Sequence, residues 1–204
     1  MTTQNPLATP ETPRPPKLHM LWPDRLLSVA PPVKVASGYA LRVFRPSDTP
    51  TYLRLMHLAG FTYWTAEILD KYLQKALPDG FFIAEELATG ALAATAMATH
   101  NPDLFHPFGG ELGWVAGDPA HAGKGLGKAV TAAVTCRFLA AGYRRIYLKT
   151  DDWRLPAIRI YLDMGWEPFL YEPGMSERWR TICEKVDYPF RPEAWPKLHA
   201  AQSV

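Results

Sequence analysis

The order of elements in this chain predicts an α/β fold, a mixed central sheet flanked by helices in the order β-α-α-β-β-β-α-β-α-β. Three observations carry that expectation. Short apolar or alternating runs recur between segments whose apolar residues fall at i, i+3, i+4 and i+7. Gly, Pro, Asp and Ser cluster at the joins. Finally, an apolar run, a glycine-rich loop and a long helix-forming run adjoin between Gly110 and Ala141.

In chain order, residues 1–17 hold Pro6, Pro10, Pro13, Pro15 and Pro16 and few large apolar groups, so a disordered tail is expected. Residues 18–38 carry Leu18, Met20, Leu21, Trp22, Leu26 and Leu27, which suit an arm laid on the domain, and Pro31-Pro32 marks the entrance to the fold. Tyr39 to Phe44 alternates as a first strand, and Ser47 or Asp48 can cap the helix bearing Tyr52, Leu55, Met56 and Ala59, which stops at Gly60. Thr65 caps a second helix with Ile68, Leu69, Tyr72, Leu73 and Leu77 on one side, ended by Pro78-Asp79-Gly80. Phe81–Glu86 and Ala91–Thr99 form a hairpin about Thr89-Gly90. After the strand at 110–117, the helix places Val130, Val134, Phe138 and Ala141 on one face and closes at Gly142. Arg145–Thr150 is a strand, Pro156 opens a short helix with Ile158, Tyr161 and Leu162 on one side, and Gly165 ends it. Pro168–Tyr171 is the last strand, and Ser176 caps a final helix with Trp179, Ile182, Cys183 and Val186. The domain is expected over 39–190, with a C-terminal tail at 191–204.

Composition narrows the function. With 22 Lys and Arg against 20 Asp and Glu, the net charge of +2 shows no footprint for nucleic acid. The two cysteines, Cys136 and Cys183, fall on apolar helix faces as small hydrophobes, and no metal-ligand spacing is present. The apolar run of 18–30 is broken by Pro23, Asp24 and Arg25, so no signal peptide and no membrane span is expected, and the cytoplasm is the default compartment.

The stretch G-E-L-G-W-V-A-G-D-P-A-H-A-G-K-G-L-G-K at 110–128 concentrates the chemistry. Gly123, Gly125 and Gly127 let successive backbone N–H groups converge on an anion at a helix N-terminus, with Lys124, Lys128 and His121 adding charge. It is not a Walker A loop: five residues, not four, separate Gly117 from Gly123, and Gly125 stands where a Ser or Thr is needed. Nor is it a dinucleotide fingerprint, because Lys128 or Val130 falls where the third glycine belongs.

The segment Ala122 to Gly127 resembles the pyrophosphate loop [Q/R]-x-x-G-x-[G/A] of the GNAT superfamily of N-acetyltransferases, with Gly125 and Gly127 matching and Ala122 replacing the usual Gln or Arg. A second motif, N-x-x-A-x-x-x-Y-x-x-x-G-[FW], is matched by Ala157, Tyr161, Gly165 and Trp166, with Arg154 in the asparagine place. The resemblance covers residues 39 to 172. It implies acetyl-CoA as co-substrate, held by Ala122, Gly123, Lys124, Gly125, Leu126, Gly127 and Lys128 at the pyrophosphate. It further implies that the backbone of Val115, Ala116 and Gly117 pairs with the pantetheine arm, between strands splayed apart, and that Arg154 either reaches the cofactor or is a solvated helix-end charge.

The same resemblance implies direct transfer to a primary amine, with Tyr161 protonating the departing thiolate. A lysine-like amine with a pKa of about 10.4 is neutral only about once in a few thousand at pH 7, so a base is needed. Glu111 is the expected carboxylate, with His100 and His106 as alternatives. Phe61, Tyr63, Trp64, Phe105, His106 and Phe108 suggest an aromatic-walled pocket for a small-molecule amine. A non-catalytic acyl-CoA-binding module is the alternative function. Trp22, Trp179 and Trp195, outside the minimal fold, are candidates for a homodimer interface.

Overall fold

The computed structural model describes residues 15–198, so most of the expected tails lies outside the described residues. The strands are β1 (Leu18–Leu21), β2 (Tyr39–Val43), β3 (Ala76–Glu86), β4 (Leu92–His100), β5 (Gly110–Gly117), β6 (Ile146–Thr150) and β7 (Glu167–Phe169). The helices are α1 (Thr49–Leu58), α2 (Ala66–Leu73), α3 (Leu126–Ala140), α4 (Leu155–Asp163) and α5 (Met175–Lys185). The strands form one mixed sheet in the order β2-β3-β4-β5-β6-β1-β7, parallel at β5–β6 and antiparallel elsewhere.

Alternation along the strands builds two cores. Phe81 and Ile83 of β3 face Tyr52, Leu55, Met56 and Leu69 of α1 and α2, while Phe82 and Ala84 face the other side, where α3 packs across β3, β4 and β5. α3 buries Ala129, Val130, Thr131, Ala132, Ala133, Val134, Thr135 and Phe138. Its small residues allow burial on more than the single face expected, and Ala141, expected on that face, is an exposed C-cap. No described helix is long and apolar enough to cross a membrane.

Several expected boundaries move. α2 stops at Leu73 because Ala76 pairs with Thr99 and the Lys75 carbonyl accepts from His100 N, so Leu77 belongs to β3. Pro78-Asp79-Gly80 is then an irregularity inside that strand, with Asp79 at φ +53°. Asp48 precedes α1, but its carboxylate accepts from Arg45 N and the Arg42 guanidinium instead of capping the helix. Thr65 does cap α2, accepting from Ile68 N at 3.4 Å. Ser176 lies inside α5, whose N-cap is the left-handed Gly174.

The largest departure is at the N-terminus. Leu18–Leu21 is an interior strand, hydrogen-bonded to β6 on one side and β7 on the other, with all four residues buried. Residues 191–198 likewise fold back: Lys197 bridges Leu170, and Trp195 is buried. Trp22, Trp179 and Trp195 are at most 8 % exposed and sit in the main core, so they offer no surface for a dimer.

Candidate active site

β5 pairs with β6 at three positions only: Gly110↔Ile146, Glu111↔Tyr147 and Leu112↔Leu148. Beyond Leu112 the two strands part. On its other edge β5 carries a bulge, where Trp114 and Val115 lie opposite the single residue Ala96 of β4. Trp114 adopts φ +56°, an uncommon conformation for a bulky side chain that persists only where packing enforces it. That packing is an aromatic group: Trp64 at 3.9 Å, Tyr72 at 4.6 Å and Phe61 at 5.8 Å between ring centroids. The backbone of Val115, Ala116 and Gly117 thus lies on the diverging part of a wedge, beyond the β6 pairing.

The wedge leads into the glycine loop. Asp118 Oδ1 accepts from Ala120 N at 2.8 Å, which closes the turn Pro119–His121, and Ala122 is extended. Gly123 and Gly125 stand at φ +77° and +72°, and a Cβ on either would meet nothing within 4 Å. Glycine is therefore required by the backbone conformation, and the space above it is open. Leu126 is buried and pins the first turn of α3, while a Cβ at Gly127 would touch Ile160 at 3.7 Å.

Positive charge gathers around the loop beside a groove. Lys34, Lys124, Lys128 and Gly125 line this groove of about 330 Å³. Lys124 Nζ also donates to the Tyr39 hydroxyl, a bond that raises its pKa, and His121 Nδ1 lies 2.7 Å from the same oxygen. Lys34 escaped the sequence analysis because it lies on the segment between β1 and β2, brought to α3 by packing such as the Cys136 thiol on the Pro31 carbonyl. No local pattern marks it.

At the narrow end of the wedge, the Glu111 carboxylate accepts from Asn101 Nδ2 and lies 3.4 Å from the Tyr147 hydroxyl. It also faces Tyr72, whose hydroxyl pKa is raised by burial first and then by the Glu111 charge. Tyr161, on α4, is 5 % exposed; burial holds its hydroxyl well above the ordinary phenol range, partly opposed by the positive charge of Arg154. It keeps its proton at neutral pH, as a proton donor must. Arg154, the N-cap residue of α4, is 28 % exposed at its side chain and lies 3.7 Å from Asp151. Its guanidinium carbon stacks 4.3 Å from the Phe61 centroid, across from α4 to the loop between α1 and α2.

The histidine alternatives separate from this site. His106 is fully buried, its Nε2 lying 2.8 Å from Nδ1 of His19 on β1, and burial followed by the Arg145 charge pushes its pKa down to about 3. A base needs access to the amine, which this ring lacks. His100 is exposed and lies 2.9 Å from the Tyr143 hydroxyl. The expected aromatic wall also divides. Phe61 and Tyr63 adjoin Trp114 and Trp64, whereas Phe105 and His106 pack on His19, Tyr147 and Tyr171, and Phe108 points to solvent. Trp114 and Tyr72 pack with Trp64 instead.

Comparison with known proteins bears on this arrangement. The family model for the acetyltransferase (GNAT) family matches residues 48–166. Mycothiol acetyltransferase from Acidothermus cellulolyticus is 32 % identical over 174 residues, covering 73 % of this chain and 52 % of that protein. Its counterpart from Thermobispora bispora is 30 % identical over 161 residues, covering 71 % of this chain and 52 % of that protein. The chain thus spans about half the length of these curated relatives. Among solved structures, a GCN5-related N-acetyltransferase from Sphaerobacter thermophilus superposes with a TM-score of 0.61 at 22 % identity, over 76 % of this chain and 49 % of that one. A tandem GNAT protein from the clavulanic acid biosynthesis pathway superposes with a TM-score of 0.56 at 19 % identity, over 77 % of this chain and 51 % of that one. These likenesses show the fold.

Proposed function

Because the chain belongs to the GNAT family of acetyltransferases, we propose that it moves an acetyl group from acetyl-CoA to a primary amine of a small acceptor by direct transfer. The observation that carries this reading is the wedge, a parallel strand pair that parts after three residue pairs and runs out into a left-handed glycine loop at a helix start. Backbone groups on its open edge suit the amides of a pantetheine arm. The room above Gly123 and Gly125, with Lys34, Lys124 and Lys128 beside it, suits a pyrophosphate.

The thioester supplies the activated acyl carbon. In this reading Glu111 takes the proton of the acceptor amine, directly or through water, and the amine nitrogen forms a bond to the acyl carbon. The carbon–sulfur bond breaks, the Tyr161 hydroxyl gives its proton to the departing thiolate, and the extra proton on the acylated nitrogen returns, directly or through water, to the Tyr161 oxygen. The position of Tyr161 on α4, which follows β6, supports this assignment, and its hydroxyl is protonated at neutral pH. A small-molecule acceptor suits the aromatic wall and agrees with relatives named for mycothiol.

Calorimetric titration with acetyl-CoA, coenzyme A and ATP tests the loop, followed by an amine screen read by thiol release. Micromolar binding of the first two, none of ATP, and release of thiol with an amine are expected. Tight binding without turnover on any amine would favour the non-catalytic module.

A further inference from the structure

Arg154 occupies the wide end of the wedge in a way that acetyl transfer alone does not require. Its side chain is 28 % exposed, and among the described residues its guanidinium donates no hydrogen bond, only a long ion pair to Asp151. Asp151 lies 3.7 Å from Arg154 Nε, longer than a hydrogen bond, and is itself engaged by Lys17 at 2.5 Å. What holds the side chain is Phe61, 4.3 Å beneath the guanidinium carbon. Stacking of this kind occupies the flat face of the group and leaves its five N–H donors along the rim. Phe61 is in turn fixed edge-on against Trp114 at the bulge. The cation is therefore preset at one end of an aromatic wall, with its donors free.

At the other end stands Glu111, already steadied by Asn101. A carboxylate for an amine, an apolar wall, and a guanidinium with free donors follow one another along the wedge. Resting on the transferase reading above, we propose that Arg154, stacked on Phe61, is an anion-recognising clamp. The acceptors this site prefers are then amines with an apolar or aromatic body between the nitrogen at one end and a carboxylate at the other. The carboxylate takes two of these rim donors of Arg154, an arrangement that a neutral amide cannot match.

The experiment uses the product side, so that it reads the clamp without turnover. 4-(Acetamidomethyl)benzoate and 4-(acetamidomethyl)benzamide are titrated into the full chain, with and without coenzyme A, for the native protein and for Arg154→Met and Arg154→Lys. The acid is expected to bind at least about tenfold more tightly than the amide. Arg154→Met should abolish that ratio, and Arg154→Lys should retain part of it, while both variants melt as the native protein does. Equal binding of acid and amide by the native protein overturns the clamp, as does failure of both to bind. A loss of acetyl-CoA affinity in Arg154→Met in step with the acid would also overturn it, because Arg154 would then serve the cofactor. Discrimination that persists in a protein releasing no thiol with any amine would leave the clamp standing and remove the transferase.

Discussion

In the proposed mechanism Tyr161 is the acid; desolvation raises the pKa of its buried hydroxyl and so weakens it as a donor, and the neighbouring Arg154 charge pulls the pKa partly back. Tyr161→Phe removes the proton and little else, so kcat should fall about a hundredfold with the KM for acetyl-CoA unchanged, measured by thiol release. Retention of full kcat would end that role. Glu111 differs in kind, because it faces Tyr72 and Tyr147 and is held by Asn101. For Glu111→Gln the rise of kcat/KM with pH should shift toward the amine's own ionisation, and an unshifted profile would exclude Glu111 as the base. Tyr161 was singled out in the sequence by motif register, and Glu111 by its place at the start of the central strand in the family it resembles. The setting of Arg154 was not, since its partner Phe61 lies far away along the chain and is brought near by the bulge at Trp114.

At the scale of elements, the strand, loop and helix at 110–140 were legible because their signals are local: apolar run, glycines, helix formers. Gly125 at φ +72° with open space around it separates two causes. Gly125→Ala should cost about 1–2 kcal/mol through its left-handed backbone alone, and should weaken acetyl-CoA by moving the N–H groups of the loop. Calorimetry beside urea unfolding measures both, and unaltered affinity would mean that the loop amides do not hold the pyrophosphate. Gly110 is the contrasting case, since a Cβ there would lie 2.4 Å from Phe138 Cε1. Gly110→Ala should destabilise by several kcal/mol, by steric conflict between β5 and α3. The bulge itself was invisible in the sequence, because a tryptophan at positive φ is set by its neighbours across the sheet and not by its own preference.

For the whole molecule, β1 is the decisive element. It separates β6 from β7, so removing residues 1–21 would leave both strands without their shared partner. That truncation should abolish cooperative unfolding, and a truncated chain that melts like the full one would refute the placement. β1 also brings His19 against His106, with Asp103, Lys149 and Arg145 around the pair. Burial, with help from Lys149 and Arg145, lowers the His19 pKa from 6.5 to about 4, and His106 falls further. An unfolded chain therefore takes up these protons first. The contribution is complete above pH 6.5 and is lost as the pH falls toward 4 and then 3, on the order of 3 kcal/mol for His19 alone. Urea midpoints at pH 7.5 and 5 should show that slope, and His106→Gln should flatten it.

The sequence by itself determined the order of the other elements, the glycine loop and the register that puts Tyr161 on α4, because each rests on spacing within a few turns or strands of chain. Tertiary structure alone decided that L-H-M-L at 18–21 is an interior strand: four residues flanked by Pro16 and Pro23 carry too little local signal, and two open strand edges supply the partners. It also decided where β5 and β6 part, and that Arg154, Phe61 and Lys34 face the wedge and its loop. Those positions follow from pairing between distant segments, where unpaired backbone groups and apolar surface, not neighbouring residues, choose the contact.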